Sequence, residues 1–597
     1  MSKIDSQLRF LQQEPQDNLA ALEALGRFAV EAAEEPSPKA TVLVQYTGDL
    51  ADIEERGFES RTVAGDVATG VVELDKLDEI VALDSVVKVE SSRPMDSELD
   101  LSLPEVRANL VHTGPPGFRG TGVIVGIIDS GIDFTHESFR GVGGASRITA
   151  IWDQNLTPTG NESSPSGFTY GVEYTKADID EALAASNPFS VVRHRDQDTL
   201  SGHGTHVAGI AAGDGSVEGN GQPAFTFVGV APEAEIIVVA NRPETSAFGI
   251  GDSASTLDAV AYIFNKASSL RKPVVINQSQ GDNLGPHDGT SLLERGIDNL
   301  LGEPGRAMIK SAGNAGSDRI HASGTVASGE PETVQFVVPP NDSTTDAFDI
   351  WYPGADRFDI EIVPPDGNTS DVVTPGTTTT LNLPNENRVF VGSVLNDPNN
   401  NDNRIFILLL PGSRPAVQQG TWAFALHGTS VSDGRFDAWI QRGPPIPRFV
   451  GPHLDNSRTI SVPGTSSEVI SVASYITKGP GAGNISSFSS RGPTRDGRRQ
   501  PQITAPGQQI MSMRAPNIMS GSDRYHLLQG TSMAAPHVTG IVALMLQKNN
   551  GLTQSQISDC LTRTAHSDGF TQAVPNDTWG HGKVDAQASF GLCPEPS

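Results

Sequence analysis

Apolar residues recur along this chain in two periods, and their alternation predicts the fold of its main body. Short runs that are almost wholly apolar, such as 123–128, are typical of strands buried on both faces of a parallel sheet. Between these runs, apolar residues recur three and four positions apart, as they do in helices with one buried face. The alternation predicts an α/β fold with a doubly wound, mostly parallel sheet. The predicted strands are 123–128, 235–239, 274–277, 307–311 and 469–474, and the predicted helices are 207–212, 256–268, 291–301 and 532–547.

A smaller α/β module precedes this sheet. Its predicted strands are 39–46, 66–74 and 86–90, and its predicted helices are 50–56 and 75–83. Ahead of the module, the segment from Asp17, a suitable N-cap, to Glu35 predicts a helix that ends before Pro36. The polar residues 91–98 join the module to a helical segment over 105–111 and then to the main sheet.

From about residue 320 to 443 the pattern changes to short β-branched and aromatic runs separated by Pro, Gly, Asn and Asp. This pattern is typical of a β-sandwich. Its predicted strands include 333–338, 358–363, 388–391, 405–410 and 421–426. We therefore predict four segments, which are an N-terminal module over 1–95, a first α/β part over 96–319, an inserted β-sandwich over 320–445 and a second α/β part over 446–597.

The charge of the chain excludes two classes of partner. Among 597 residues, 71 acidic side chains against 42 basic ones give a net charge of −29. Such a charge repels phosphate backbones and anionic lipid surfaces, so neither nucleic acid nor a membrane is an expected partner. The acidity has a second interpretation, the attraction of basic substrates, but we favour a role in solubility.

The sequence also gives an expectation for location. Residues 1–16 contain no apolar core of a signal peptide, and no run approaches the roughly 20 apolar residues that span a bilayer. Cys560 and Cys593 are the two cysteines, and such sparse use suits a reducing compartment. We expect a cytoplasmic protein, with secretion by a non-standard route as the alternative.

Two segments carry a candidate acid and a candidate base. Asp129 ends the apolar run 123–128, which places its carboxylate at the carboxyl edge of the predicted sheet, although a lone Asp after a strand is more often a turn former. His203 lies between glycines just ahead of a predicted helix and is a candidate general base. His206, three residues further on, suggests a metal pair, but without a third ligand nearby we interpret it as structural.

Two further segments carry a candidate nucleophile and a candidate hydrogen-bond donor. Ser532 begins an apolar helix, where a serine is usually an N-cap, but its own N–H and the positive end of the helix would also stabilise an oxyanion beside its hydroxyl. Pro536 costs little so early in that helix. Asn314 lies between glycines, normally a turn position, and as an oxyanion donor its loss would cost about 100- to 1,000-fold in turnover.

These four segments, in the order Asp, His, Asn and Ser, resemble the subtilisin-like serine peptidases, the subtilases of peptidase family S8. The resemblance covers 101–317 and 459–592. It implies a serine endopeptidase in which Asp129 orients the imidazole of His203, the general base and acid. It also implies Ser532 as the nucleophile and Asn314 as the oxyanion donor.

The resemblance extends to substrate binding and to ligands. Ser279, Gln280 and Gly281 match the segment with which subtilases pair an extended peptide by strand addition, and Gln280 stands where an apolar residue is usual. The stretch after Gly213 lacks the Asn-rich calcium loop of the family, so we expect no metal there. We expect no cofactor, and protein or peptide substrates.

The remaining segments resemble particular parts of subtilases. The module over 39–90 is similar to the family's propeptide, an intramolecular inhibitor and folding aid, which implies a zymogen that processes itself between about residues 91 and 103. The inserted β-sandwich resembles that of jelly-roll-bearing bacterial subtilases such as the spore-germination proteases, where it would gate access or bind a protein partner. A different class of function, a pseudoprotease that binds peptides without cutting them, stays open.

Overall fold

The computed structural model describes residues 3, 30–31, 39–91, 99–114, 117–141, 143–241, 253–441, 446–515 and 523–595. The chain forms two compact units that divide between Ser97 and Glu98. The predicted linker over 91–98 and the helix predicted over 17–35 lie largely outside the described residues. Within that helix the prediction is wrong at Val30–Glu31, which form a short strand because their backbone pairs with Lys39 and Ala40.

The first unit is a five-stranded antiparallel sheet with two short helices. The strands follow the order β1-β2-β4-β3, and β5 also pairs with β2, along residues 42–46. Their bounds are β1 Val30–Glu31, β2 Lys39–Tyr46, β3 Glu59–Ala64, β4 Val67–Glu73 and β5 Val86–Ser91, with α1 Ala51–Glu54 and α2 Leu77–Val81. The sequence did not predict β3, which is largely polar and forms through a tight turn at Gly65 onto β4.

The second unit combines an α/β sheet with two larger all-β sheets and a two-stranded antiparallel sheet, β24-β25. Its strands are β6 Ile124–Asp129, β7 Ile148–Asp153, β8 Val172–Thr175, β9 Glu235–Ala240, β10 Val274–Gln278, β11 Arg306–Ser311, β12 His321–Thr325, β13 Glu332–Val338, β14 Asp346–Tyr352, β15 Arg357–Val363, β16 Thr378–Asn382, β17 Arg388–Val394, β18 Asn403–Leu410, β19 Gly420–Ser430, β20 Arg435–Ile440, β21 Arg448–Val450, β22 Ile470–Ile476, β23 Ile503–Gln508, β24 Ile510–Met513 and β25 Tyr525–Leu528. Its helices are α3 Leu99–Glu105, α4 Ala108–Thr113, α5 Lys176–Ala184, α6 His203–Ala212, α7 Ser253–Leu270, α8 Leu292–Leu300, α9 Thr531–Lys548, α10 Gln554–Arg563 and α11 Ala586–Leu592.

The main sheet follows the order β23-β22-β11-β10-β6-β9-β7-β8 and is parallel except for β8, which pairs antiparallel with β7. Strand β6 lies near its centre and is buried at every position. Ile124 and Ile128 pack in one core with α7 and α8, whereas Val125 and Ile127 pack in the opposite core with α6 and α9. Helices therefore cover both faces, which is the doubly wound arrangement predicted from the sequence.

One helix differs from its prediction. The stretch predicted to be helical over 105–111 is divided into α3 and α4 because Arg107 adopts a left-handed backbone, with φ of 60°. Its guanidinium lies 2.6 Å from Asp585 Oδ2, ahead of α11. This contact with the C-terminal part of the chain holds Arg107 in a conformation that ends α3.

The all-β part consists of two antiparallel sheets that pack face to face. One has the order β12-β20-β14-β18-β17-β16 and the other β15-β19-β13-β21. The ring centroids of Phe336 and Phe348 lie 4.5 Å apart across the interface. Strand β14 was not predicted because it is buried at every position, and so lacks the alternation of a half-exposed strand, while Asp346 and Asp349 interrupt the apolar run that would indicate a strand buried on both faces.

Two smaller observations complete the fold. Cys560 and Cys593 are both buried free thiols. Among the helices that the structure describes, none has the length and apolar character to cross a bilayer.

Candidate active site

Asp129 and His203 form a direct contact at the carboxyl edge of the main sheet. Asp129 is the last residue of β6 and is 1% exposed, and its Oδ1 lies 2.8 Å from His203 Nδ1. His203 is the first residue of α6. Burial lowers the pKa of His203, but the charges of Asp129, Asp198 and Asp196 outweigh it, so the pKa stands above its usual value. This pair can orient and stabilise an imidazolium.

Asp196 connects the end of β6 to the start of α6, the two elements that carry this pair, and sequence reasoning missed it. Its Oδ1 accepts from Ser130 Oγ at 2.7 Å, and its Oδ2 accepts from Thr205 N at 2.9 Å and from Thr205 Oγ1 at 2.6 Å. Burial raises the pKa of Asp196. The available signal was a pair of carboxylates, Asp196 and Asp198, just ahead of the His203 segment.

His206 is directed away from this pair. Its Nε2 lies 3.0 Å from Ile510 O and 3.1 Å from His526 O, which are strand carbonyls of β24 and β25. Burial lowers the pKa of His206 well below its usual value, so the ring is neutral and donates to these carbonyls. Within the described ranges, no group of three or more His, Cys, Asp or Glu side chains could hold a metal ion.

The backbone around Ser532 is fixed by a contact that corrects the sequence interpretation of Pro536. Pro536 is the sixth residue of α9, so it removes the N–H that would bond to the Ser532 carbonyl four residues earlier. That carbonyl accepts instead from Ser279 Oγ at 3.0 Å. Ser279 Oγ in turn accepts from Asn277 Nδ2 at 3.0 Å. Because of Pro536, the Ser532 carbonyl is free to accept from Ser279, and this hydrogen bond connects α9, which carries the candidate nucleophile, to the residue after β10.

Asn314 is oriented by the residue that precedes the candidate nucleophile. Its Oδ1 accepts from Thr531 N and from Thr531 Oγ1, both at 2.9 Å. Thr531 Oγ1 also accepts from Gly313 N at 3.1 Å. With its oxygen fixed, the amide of Asn314 presents Nδ2 as a donor beside α9, where the first N–H groups, including that of Ser532, have no partner within the helix. Two donors are thus available for an oxyanion.

The hydroxyl of Ser532 makes a different hydrogen bond from the one that its predicted role requires. Ser532 Oγ donates to Ser279 O at 3.2 Å, and no hydrogen bond joins it to His203 among the residues described. Strands β6 and β10 are adjacent, so Asp129 and Ser279 extend from the same edge of the sheet. To act as the predicted nucleophile, the hydroxyl would have to turn from Ser279 toward the imidazole, and catalytic hydrogen bonds are often long or poorly aligned until substrate binds.

The predicted substrate-binding segment follows β10 as a short open edge. Further along, Asp282 forms an antiparallel bridge with Val462. Asp282 N donates to Val462 O at 3.0 Å, and Val462 N donates to Asp282 O at 2.8 Å. Between β10 and this bridge, Gln280 and Gly281 make no backbone–backbone hydrogen bond within the described part of the chain. Their N–H and C=O groups can therefore pair with an added strand. The side chain of Ser279, by contrast, is engaged with α9.

The inserted β-sheets hold the loop beyond this edge. Gly285 N donates to Asp349 Oδ2 of β14 at 2.9 Å, and the Asp349 carboxylate also binds Arg404 at 2.6 Å. The ring of His287 stacks on Trp439 of β20, with centroids 4.1 Å apart. The conformation of the loop after the open edge thus depends on the insertion.

Known proteins resemble this chain in sequence and in fold. Serine protease AprX of Bacillus subtilis is 38% identical over 145 residues, which are 22% of this chain and 32% of that protein. Minor extracellular protease Vpr of the same organism is 24% identical over 507 residues, which are 83% of this chain and 54% of Vpr. The chain therefore matches only part of the length of these relatives.

A solved structure and a family model cover more of the chain. The structure of the Clostridium perfringens CspB protease aligns with a TM-score of 0.71 and 28% identity, and covers 82% of this chain and 98% of that one. The model of the subtilase family matches residues 120–402 and 427–583, which include all four candidate positions. On this match, as the sequence resemblance predicted, the chain belongs to the subtilase family, peptidase family S8.

Proposed function

We propose that this chain is a serine endopeptidase that hydrolyses peptide bonds through an acyl-enzyme on Ser532. The observation that carries the proposal is the 2.8 Å contact between Asp129 Oδ1 and His203 Nδ1. Ser532, bonded to Ser279 after β10, and Asn314, just after β11, lie at the same edge of the sheet, because β6, β10 and β11 are adjacent parallel strands. Membership of the subtilase family supports the same reaction.

In the proposed reaction the same side chains act twice, once to form the acyl-enzyme and once to hydrolyse it. His203 Nε2 takes the proton of Ser532 Oγ, which attacks the peptide carbonyl carbon, and Asn314 Nδ2 and Ser532 N–H stabilise the resulting oxyanion. The intermediate collapses, the C–N bond breaks, and His203 gives its proton to the leaving amine. Water then hydrolyses the ester by the same steps, while Asp129 stabilises the imidazolium throughout.

Digestion of a complex peptide library by the purified full chain tests this function. We expect many internal cleavage sites, found by mass spectrometry, and their loss after treatment with a fluorophosphonate inhibitor. A chain that binds the same peptides but leaves them intact would instead be the peptide-binding pseudoprotease, and the proposal would be wrong.

We also propose that residues 39–90 act as a propeptide and that the chain processes itself between about 91 and 103. The support is that these residues belong to a compact unit of their own, divided from the remainder between Ser97 and Glu98. Expression of the wild-type chain and of Ser532→Ala should give a shortened N-terminus only in the wild type. Identical intact chains in both preparations would overturn this proposal.

The location and the insertion complete the proposal. Because Vpr is named an extracellular protease, secretion, the alternative from the sequence, is favoured over the cytoplasm. Immunoblots of culture medium and lysed cells of the producing organism check this, and signal confined to the lysate would contradict it.

Two packed antiparallel sheets support a jelly-roll-like insertion, and its contacts with Gly285 and His287 support a role in shaping the substrate edge. A protein partner for the insertion stays a prediction.

A further inference from the structure

A polar cavity of about 530 Å³ lies where the inserted sheets meet the α/β part of the second unit. Five aspartates and three arginines contribute to its lining, together with Trp351 of β14 and Phe436 of β20. Its volume falls in the range of about 300–1,000 Å³ that is typical of sites for small molecules. The four residues of the proposed catalytic site, all of them described, do not line it. The cavity is therefore separate from that site.

Ion pairs form much of the cavity wall, but they leave some of its charged atoms unused. Arg495 Nη2 lies 2.6 Å from Asp288 Oδ2 and 2.7 Å from Asp402 Oδ2. Arg458 Nη1 lies 2.7 Å from Asp437 Oδ1. Among the described residues, no hydrogen bond uses Arg495 Nη1, Arg458 Nη2, Asp402 Oδ1 or Asp437 Oδ2. The wall thus offers two guanidinium donors and two carboxylate acceptors to a ligand.

Two further donors in the wall are buried without an acceptor. Within the described chain, neither Trp351 Nε1 nor Arg458 Nε has a hydrogen-bond partner. Native proteins seldom bury a donor unsatisfied, because the group has lost its bonds to water and gained none in return. The protein alone therefore does not satisfy the polar groups of this wall.

The unused atoms carry both signs of charge, which decides the class of ligand. A simple cation would suit the aspartate oxygens but would be repelled by Arg458 and Arg495. A simple anion would be repelled in the same way by Asp402 and Asp437. A zwitterion gives an ammonium group to the carboxylates and a carboxylate to the guanidinium groups, and each contact is a charge-assisted hydrogen bond.

We propose that this cavity binds a small zwitterion with an α-ammonium and an α-carboxylate group, such as a free amino acid or a dipeptide. Asp402 and Asp437 would accept from the ammonium group, and Arg458 and Arg495 would donate to the carboxylate. Binding here goes beyond the peptidase function and does not depend on it.

Arg495 connects the cavity to the loop beyond the proposed substrate edge. Its backbone N donates to His287 O at 2.8 Å, and its Nε donates to Pro286 O at 2.7 Å. Its Nη2 donates to Asp288 Oδ2 at 2.6 Å. A carboxylate bound at Nη1 would hold the guanidinium group in place and, through these bonds, would stabilise residues 286–288.

Calorimetry of the full chain with glycine and with glycylglycine tests the proposal. We expect at least one of them to bind. Its N-acetylated and C-amidated forms, which each lack one charge, should bind at least about tenfold more weakly. Equal affinity for the zwitterion and for either modified form, or no binding of either zwitterion, would overturn the proposal.

Asp402→Asn assigns the ammonium group to the cavity. The variant should bind the zwitterion about tenfold more weakly but keep the wild-type affinity for the N-acetylated form, which has no ammonium group. Asp371→Asn, the same change at an exposed position of the insertion, is the matched control and should bind as the wild type does. Because Asp402 lies outside the proposed catalytic site, unchanged affinity in Asp402→Asn would mean that the zwitterion binds elsewhere and would overturn the proposal.

Hydrogen exchange tests the connection to the substrate edge. Addition of the zwitterion should slow exchange of the amides of residues 285–290 in the wild type, and unchanged exchange there would overturn this connection. The comparison of ligands on the wild type decides the binding class even if Asp402→Asn fails to fold. A chain that binds the zwitterion but cuts no peptide would retain this site and overturn the proposed function instead.

Discussion

Replacing Ser532 by alanine is expected to lower kcat by about a millionfold, the size of loss seen when subtilisin loses its serine. The substitution removes the atom that forms the acyl bond, and only the oxyanion donors and substrate binding would remain. The measurement is hydrolysis of a fluorogenic peptide by the full chain over long incubations. A variant that keeps more than about one hundredth of wild-type kcat would show that another group is the nucleophile.

The same variant should fold normally, which keeps the kinetic result interpretable. The Ser532 hydroxyl makes one neutral hydrogen bond, 3.2 Å long, to Ser279 O. Its loss should change the free energy of unfolding by about 1 kcal/mol or less. Ser216→Ala, at an exposed serine, is the matched control and should retain full activity.

Asp129→Asn should have the second largest effect, a loss of about ten-thousandfold in kcat. Asparagine keeps the size of the side chain but removes the charge that stabilises the imidazolium, and it no longer fixes the tautomer of His203. Steady-state kinetics measure the loss. Asp559→Asn, the same change at an exposed position on α10, should leave kcat unchanged. Activity of Asp129→Asn within about tenfold of wild type would contradict the assigned role.

The residual activity of Asp129→Asn should also have a shifted pH profile. His203 acts as a base only when neutral, so activity falls as the pH drops through its pKa. Burial lowers that pKa and the charge of Asp129 raises it, with a net rise in the wild type. Removal of the charge should therefore lower the pKa and move the acid limb of kcat/KM to lower pH. An acid limb at the wild-type pH would argue that Asp129 does not act on His203.

Much of the main sheet could be predicted because burial on both faces leaves a plain signal in the sequence. The apolar run around 123–128 forms β6, and its last position delivers Asp129 to the sheet edge as expected. The four candidate positions lie at or just beyond the end of such a run or at a helix start, but it was their order along the chain, which resembles that of the subtilases, that identified them. Strand β14 shows the limit, since Asp346 and Asp349 interrupt its apolar run although every position of the strand is buried.

The contacts that tune the site could not be predicted, because they join residues far apart in the chain. Ser279 compensates for Pro536 on another element, and Asp196 acts through Ser130 and Thr205. In the sequence Lys310 is one of three polar residues of β11, and its neighbours in the fold include Gly281 and Ser461, which lie far from it in the chain. Local patterns give the position of each residue along an element, but only the topology of the sheet gives its neighbours.

Labelling of the full wild-type chain with a fluorophosphonate probe, followed by peptide mapping, tests the central claim most directly. The probe reacts with an activated serine hydroxyl, so it reports the combined effect of His203, Asp129 and the oxyanion donors on one atom. We expect a single labelled residue, Ser532, and no labelling in the His203→Ala variant. An unlabelled wild-type chain, or a label on a different serine, would contradict the assignment of Ser532 as the catalytic nucleophile.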